Sequence, residues 1–218
     1  MDKQYILFDL DGTLTDPMEG ITKSAQHALK HFGIEVKDHT SLAFFIGPPL
    51  RDTFKNHYHM SDGQADEAIR VFREYFEPKG IFENEIYDGV PKMLENLTRA
   101  GRSLILATSK PVDFAERVLE YFDIKDYFDF VAGSSMDERR ANKEEIIAYA
   151  LEECQLIDMS ELVMVGDRKY DIEAAKEFGI YTIGVLYGYG SKAELKKAGA
   201  DCLVKTVDDL EEVLLEEE

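Results

Sequence analysis

Two aspartates at the end of the first apolar segment are the first residues whose type and spacing suggest chemistry. The segment "YILF" runs into Asp9 and Asp11, and Gly12 follows directly. A short apolar run bounded by turn residues predicts a buried strand of a parallel sheet over residues 5–9. Side chains two residues apart in an extended chain leave the same face, so the two carboxylates point the same way. Because carboxylates seldom lie unpartnered at the end of a buried strand, the pair predicts a bound ligand.

Polar side chains also stand where later apolar segments run out. Thr108 ends "SLILAT" and Ser109 follows it, while Asp167 follows "ELVMVG" and Asp171 lies one turn into the next helix. Ligands of open α/β sheets bind outside the carboxyl ends of the strands, so we expect these side chains to meet Asp9 there. Several carboxylates at one sheet edge repel one another unless a cation neutralises them. The sequence therefore predicts a cation site.

Magnesium is the cation that this set of side chains favours. Mg²⁺ is a hard ion held by a few carboxylates, and waters and substrate phosphate complete its octahedron. Softer metals prefer Cys and His, and neither residue type falls at these strand ends.

The same residues meet the requirements of phosphoryl transfer, which needs a nucleophile, charge neutralisation and protonation of the leaving oxygen. Asp9 can attack phosphorus and form an aspartyl-phosphate that water later cleaves. Asp11 can protonate the leaving group and then activate that water. The Thr108 hydroxyl can bind a phosphate oxygen, and Gly12 leaves room for the backbone to approach a ligand.

A lysine near the start of a predicted helix is the candidate for the remaining charge. Lys143 in "NKEEII" can hold Asp9 and the transferring phosphoryl group together. Arg139, Arg140 and Lys110 are the alternatives for this role.

The elements that must position these residues follow from periodicity. From residue 83 onward strand and helix signals alternate, which predicts a parallel sheet with helices on both faces. Residues 16–82 show helical signals and no strand-like alternation. We therefore predict an α/β core domain over residues 1–15 and 83–218, with a small all-helical domain inserted after the first strand. The stretch "LYGYGS" after the fifth core strand is interpreted as a turn by default, with a position near the mouth of the ligand cleft as the alternative.

Composition limits the partners. The 218 residues carry a formal net charge of −19, which argues against binding nucleic acid or an anionic membrane surface. Cys154 and Cys202 lack CxxC spacing and are expected to be buried free thiols. No signal peptide or run of roughly 20 apolar residues is apparent, so we expect a cytoplasmic protein.

Four segments together resemble the motifs of the haloacid dehalogenase (HAD) superfamily. These are "DLDGT" after the first strand, "TSK" after the second, the lysine at 143 and "GDRKYD" after the fourth strand. Their order and spacing match, and the resemblance covers the whole chain. The helical insertion after the first motif resembles the C1-type cap of the phosphoglycolate phosphatase-like branch. The resemblance implies a Rossmann-like core and a cap that closes over a small phosphorylated metabolite.

The resemblance also implies a role for each motif residue. Asp9 would be the nucleophile and a Mg²⁺ ligand, and Asp11 the acid/base that binds the metal through its backbone carbonyl. The dehalogenases of the superfamily lack a carboxylate at the position of Asp11, which favours phosphate chemistry. The remaining assignments are Thr108, Ser109 and Gly12 at the phosphate, Lys143 as the charge clamp, Asp167 as a metal ligand and Asp171 as a ligand or its outer-shell support.

One cap residue joins this set by the same resemblance. The loop of C1-capped relatives that corresponds to "FFIGPPLRDTF" faces the active site, so Arg51 would recognise an anionic leaving group. A surface arginine paired with Asp52 or Glu77 is the alternative.

The predicted function is a Mg²⁺-dependent phosphatase, with phosphoglycolate and nucleoside monophosphates as the substrates to test first. A β-phosphoglucomutase-type phosphoryl transferase uses the same residues and remains the main alternative. A non-enzymatic phospho-acceptor is disfavoured by the inserted helical domain, the spacing of Asp9 and Asp11 and the chain length. A degenerate binding protein is disfavoured because no motif position is lost. We expect a monomer or a weak homodimer.

Overall fold

The computed structural model describes residues 3–135, 140 and 142–216, so Arg139 lies outside the described residues. The chain divides into two compact units. One comprises Met1–Asp16 and Ile86–Glu218, and the other comprises Pro17–Glu85. The chain passes from one unit to the other at two points, and a two-residue strand lies at each. These strands, β2 (Thr15–Asp16) and β3 (Glu85–Ile86), form a small separate sheet.

The first unit contains a six-stranded parallel sheet. Its strands, in chain order, are β1 (Tyr5–Phe8), β4 (Ser103–Pro111), β5 (Phe130–Ser134), β6 (Leu162–Gly166), β7 (Tyr181–Val185) and β8 (Cys202–Val204). The spatial order is β5-β4-β1-β6-β7-β8, so β1 lies between β4 and β6. Each adjacent pair is parallel, and this arrangement requires a crossover connection between successive strands.

Helices supply those connections. They are α4 (Val90–Arg99), α5 (Val112–Tyr121), α6 (Lys143–Glu153), α7 (Lys169–Glu177), α8 (Lys192–Ala198) and α9 (Val207–Leu215). Helix α6 packs against β4, β5 and α7, while α4 packs against β4 and α9. The predicted α/β fold class, a parallel sheet surrounded by helices, is confirmed.

The register of the central strands brings distant parts of the sequence together. Phe8 pairs with Leu106 on β4 and with Val165 on β6. These three side chains are fully buried, as continuous apolar runs in parallel strands predict. The residues just beyond them, from three separate sequence segments, therefore emerge side by side at the carboxyl edge of the sheet.

Several local features differ from the sequence-based prediction. Strand β4 continues past Thr108 to Pro111, with an irregularity in its pairing to β5 between those residues. Strand β7 ends at Val185, and an irregular loop follows. Both cysteines are free as predicted, but each is only half-buried. Sequence periodicity does not resolve a strand irregularity, because it reflects burial and not hydrogen bonding.

The inserted unit is helical. It contains α1 (Met18–His31), α2 (Leu50–Tyr58) and α3 (Asp62–Phe76), with 3₁₀ turns at His39–Phe45 and Gly80–Phe82. Phe45 and Phe54 pack edge-to-face in its core, with ring centroids 4.9 Å apart. Helix α1 and the second turn approach closely, since a Cβ on Gly20 would lie 1.8 Å from the Gly80 carbonyl oxygen.

Within the described part of the chain, the helices are all too short or too polar to cross a bilayer.

Candidate active site

Three buried aspartates converge at the carboxyl ends of β1 and β6. Asp9 follows β1, Asp167 follows β6 and Asp171 lies in the first turn of α7. One carboxylate oxygen from each lies within 4.8 Å of the other two. The Asp9 N–H donates to the Val165 carbonyl at 2.9 Å, and Asp171 Oδ2 accepts from the Arg168 N–H at 3.0 Å. Backbone hydrogen bonds thus orient the segments that carry the carboxylates.

A buried lysine lies among these carboxylates. The Lys143 ammonium donates to Asp9 Oδ1 at 2.9 Å and to the Ala107 carbonyl at 2.8 Å, and it lies 2.8 Å from Asp171 Oδ1. Asn142 caps the helix that carries it by accepting from the Glu145 N–H at 2.9 Å. Of the candidate cations, Lys143 is therefore the one that the described contacts place on Asp9.

Two of the other candidate cations, Lys110 and Arg140, lie among the described residues. Lys110 is buried and forms an ion pair with Asp11 Oδ2. The Arg140 guanidinium donates to the Gly133 carbonyl at 3.4 Å and stacks 4.1 Å from the centroid of the Tyr149 ring. The site thus contains a second lysine, which pairs with the acid/base candidate Asp11.

Burial shifts the titration of these carboxylates. Desolvation, reinforced by the charges of Asp171 and Asp9, raises the pKa of Asp167 well above its usual value. Desolvation raises the pKa of Asp171 to about 6, although the Lys143 ammonium opposes the shift. Desolvation also raises the pKa of Asp11 against the opposing charge of Lys110. Without a further positive charge nearby, the environment of these carboxylates disfavours their ionised form.

The arrangement fits a hard divalent cation. Asp11 Oδ1 and Asp167 Oδ1 are buried and have no hydrogen-bond partner among residues 3–135, 140 and 142–216. Buried polar atoms are normally satisfied, so such oxygens indicate a ligand. Negative groups outnumber positive ones in the described cluster, whose members are Asp9, Asp11, Asp167, Asp171, Lys110 and Lys143, and this excess favours a bound cation. The oxygen-only donor set suits Mg²⁺.

A glycine allows the two aspartate-bearing loops to touch. A Cβ on Gly12 would lie 2.3 Å from Asp167 Oδ2, and the φ of Gly12 is +87°. Any other residue would both clash with the carboxylate and adopt a strained backbone. Gly12 therefore serves the packing of the site, whatever contact it makes with a substrate.

Thr108 and Ser109 lie at the irregular end of β4. Thr108 is buried, and its hydroxyl oxygen accepts from the Lys110 N–H at 3.3 Å. Ser109 is half-buried. Because Lys143 donates to the carbonyl of the preceding Ala107, this strand end belongs to the same cluster. The phosphate-binding roles of both hydroxyls stay predictions.

Arg51 belongs to the inserted unit, in the first turn of α2. Its guanidinium forms an ion pair with Asp66 on α3, a partner that the sequence did not suggest. The role of Arg51 toward a substrate stays a prediction.

The loop over residues 187–190, for which a turn was the default interpretation and the cleft mouth the alternative, contacts the site directly. The Tyr189 N–H donates to Asp167 Oδ2 at 2.7 Å, and the Tyr189 hydroxyl donates to Asp16 Oδ1. The alternation of glycine and tyrosine in "YGYG" was the available signal, since glycines mark places where backbones approach closely.

The chain is similar to a known protein family and to several named proteins. The family model described as haloacid dehalogenase-like hydrolase matches residues 6–185. A protein of Pseudomonas aeruginosa named 5'-nucleotidase is 44% identical over 191 residues, which are 88% of this chain and 86% of that protein. A phosphoglycolate phosphatase of Vibrio vulnificus is 32% identical over 221 residues, covering 97% of this chain and 96% of the relative.

A solved structure agrees in fold but carries a different functional name. The structure of protein tyrosine kinase A (PtkA) of Mycobacterium tuberculosis superposes with a TM-score of 0.85 at 36% identity, covering 99% of both chains.

Proposed function

The chain belongs to the haloacid dehalogenase-like hydrolase family, and we propose that this phosphatase uses Mg²⁺ to hydrolyse small phosphorylated metabolites through an aspartyl-phosphate on Asp9. The observation that carries the proposal is the cluster at the ends of β1 and β6. A nucleophile candidate, a buried ammonium group and carboxylate oxygens without a hydrogen-bond partner among the described residues occur there together.

In the first step, Asp9 attacks the phosphorus atom of the substrate. Lys143 holds Asp9 Oδ1, so we assign the attack to Oδ2. The bond from phosphorus to the leaving oxygen breaks as the new bond forms, and protonated Asp11 donates its proton to that oxygen. The products of the step are an alcohol, the aspartyl-phosphate and an ionised Asp11.

In the second step, water cleaves the aspartyl-phosphate. Asp11 accepts a proton from the water as the oxygen attacks phosphorus, and the bond to Asp9 breaks. Inorganic phosphate leaves, Asp9 regains its carboxylate and Asp11 regains its proton. Lys110 pairs with Asp11 Oδ2, so we assign both proton transfers to Oδ1, which has no hydrogen-bond partner among the residues that the structure describes.

The remaining residues bind and neutralise the phosphoryl group. Asp9, Asp167 and Asp171, together with the Asp11 carbonyl, would hold Mg²⁺, which neutralises charge on the phosphoryl oxygens when bound. Thr108 and Ser109 would donate to those oxygens. Lys143, already within hydrogen-bond distance of Asp9, would balance the charge of the nucleophile and the phosphoryl group.

The substrate classes follow from the names of relatives. Nucleoside monophosphates and phosphoglycolate are the first compounds to assay, since relatives carry the names 5'-nucleotidase and phosphoglycolate phosphatase. We assign substrate selection to the inserted helical unit, acting as a cap, with Arg51 as its candidate contact to an anionic group.

The central experiment replaces the nucleophile. Asp9→Asn is expected to reduce Mg²⁺-dependent phosphate release from p-nitrophenyl phosphate by about a thousandfold or more, because the amide cannot form the acyl-phosphate. Asp126→Asn, the same change at an exposed residue of the 3₁₀ turn Lys125–Tyr127, is the matched control and should retain full activity. An unchanged circular dichroism spectrum shows that each variant is folded.

Two outcomes would contradict the proposal. Retained turnover in Asp9→Asn would exclude the nucleophile assignment, and full activity of the wild type in EDTA would exclude the metal. A phosphoryl transferase is distinguished in the same assay, since adding an acceptor alcohol would then yield a new phosphate ester in place of inorganic phosphate.

A further inference from the structure

The loop over residues 187–190 makes a specific hydrogen bond to one of the buried carboxylates. The Tyr189 N–H donates to Asp167 Oδ2 at 2.7 Å. The second oxygen of that carboxylate, Oδ1, is buried and has no hydrogen-bond partner in the described part of the chain. The loop therefore occupies one oxygen of Asp167 and leaves the other available.

The two glycines of the loop lie directly against Asp167. A Cβ on Gly188 would lie 2.4 Å from the Cβ of Asp167 and 2.3 Å from the Gly12 carbonyl oxygen. A Cβ on Gly190 would lie 1.8 Å from the Asp167 carbonyl oxygen. Real Cβ atoms do not approach so closely, so any side chain at either position would displace Asp167 or the loop.

Two tyrosine hydroxyls anchor the loop on both sides of this contact. The Tyr187 hydroxyl donates to the Thr13 carbonyl at 3.0 Å, and the Tyr189 hydroxyl donates to Asp16 Oδ1. Thr13 and Asp16 lie in the segment that follows Asp11. The loop is therefore hydrogen-bonded to the segment around the first motif, "DLDGT", and to the aspartate of the fourth motif, "GDRKYD".

We propose that the 187–190 loop is a positioning element for the metal site. By donating the Tyr189 N–H to Oδ2 and closing over Asp167 with two glycines, it holds Oδ1 in the orientation that binds a divalent cation. The inference rests on the proposed function, because it presupposes that Asp167 is a metal ligand. Outer-shell hydrogen bonds of this kind set metal affinity by orienting the ligand before the metal binds.

The test measures metal affinity directly, without turnover. Mn²⁺ binding to the full chain is followed by the loss of the electron paramagnetic resonance signal of free Mn²⁺. Gly188→Ala is expected to raise the Mn²⁺ dissociation constant by about tenfold or more, within the range found for outer-shell substitutions. Gly63→Ala, where an added Cβ meets nothing within 4 Å, is the matched control and should bind as the wild type does.

A second set of variants removes atoms and creates no clash, so it remains informative if Gly188→Ala fails to fold. Tyr187→Phe and Tyr189→Phe combined delete both anchoring hydroxyls and should weaken Mn²⁺ binding by about tenfold. Tyr121→Phe, at a half-exposed tyrosine of α5, is its control. A merely structural role would lower the unfolding temperature and leave the dissociation constant unchanged.

The outcomes separate the inference from the function on which it rests. Mn²⁺ binding within twofold of wild type in the folded double-tyrosine variant would overturn the inference and leave the proposed phosphatase intact. A wild-type protein that binds no Mn²⁺ would contradict the proposed function itself. Weakened binding in both loop variants, with normal binding in both controls, supports the inference.

Discussion

The ion pairs of the site are buried, and each of their charged side chains has lost favourable hydration on folding. Lys143 contacts Asp9 and Asp171, and Lys110 contacts Asp11, all at positions largely shielded from solvent. Taking such charges out of water is expensive, and a buried charge that loses its partner typically destabilises the fold by about 3–5 kcal/mol. Among the described residues the carboxylates of the cluster outnumber its lysines, and this excess of negative charge favours a bound cation. The arrangement of the cluster therefore favours cation binding more than it favours the stability of the metal-free fold.

The pKa shifts predict how pH changes the effect of the metal. Burial raises the pKa of Asp171 to about 6 and that of Asp167 well above its usual value of 3.8. From about pH 4 to 6 the folded metal-free protein therefore binds more protons than the unfolded chain, so this contribution to stability falls as pH rises. Mg²⁺ needs ionised ligands, and it binds more tightly as those protons leave. We expect the Mg²⁺-induced rise in unfolding temperature to be small near pH 5 and clearly larger near pH 7.5.

Differential scanning fluorimetry with MgCl₂ and with EDTA at both pH values checks this expectation. Asp171→Asn is the diagnostic variant, because it removes one of the three carboxylates whose pKa is raised and should flatten the pH dependence. An equal Mg²⁺ effect at both pH values would count against metal binding by these carboxylates.

At the scale of single elements, helix α6 determines where the lysine lies. Asn142 is its N-cap and Lys143 is its first residue, so the cap fixes the backbone from which the ammonium reaches Asp9. The helix packs on β4 and β5, which makes its position a property of the core. Helix-capping residues are recognisable in sequence, but the strand on which a helix packs is not.

Removing this cap should affect both stability and turnover. Asn142→Ala is expected to lower the free energy of unfolding by about 1 kcal/mol, measured by urea denaturation, since the Glu145 N–H loses its acceptor. Phosphatase kcat should fall severalfold, because the backbone at Lys143 is no longer held in place by the N-cap. Asn142→Ser retains a capping oxygen and should restore both quantities, and a Ser variant as impaired as the Ala variant would disprove the capping explanation.

At the scale of the whole molecule, net charge is the dominant feature. The formal charge of −19 spread over 218 residues implies self-repulsion of the compact state. Surface ion pairs such as Arg70–Glu67 and Lys125–Glu120 offset little of it, because exposed pairs contribute only about 0–1 kcal/mol.

Screening this repulsion should stabilise the protein. With EDTA present to exclude specific metal binding, we expect the unfolding temperature to rise as NaCl increases from low to physiological concentrations, where the screening length falls to about 8 Å. KCl should act equally, since the effect is one of ionic strength. A fall in the unfolding temperature with salt would mean that the surface ion pairs outweigh the repulsion.

The sequence alone determined those properties that are local in the chain. The apolar run before Asp9 and Asp11 predicted a buried parallel strand, and the alternation after residue 83 predicted the α/β class. Residue chemistry at the strand ends predicted the acidic cluster, because strands of a parallel sheet end at one edge. Each of these inferences uses spacing of a few residues and the preferences of individual side chains.

Only the tertiary structure decided how the pieces combine. It placed β1 between β4 and β6, paired Lys143 with Asp9 and paired Lys110 with Asp11. It also brought the Tyr189 N–H to Asp167, 22 residues away in sequence. These contacts depend on strand order and on packing between distant segments. Local sequence patterns do not contain that information, since the same patterns are compatible with several arrangements of strands in a sheet.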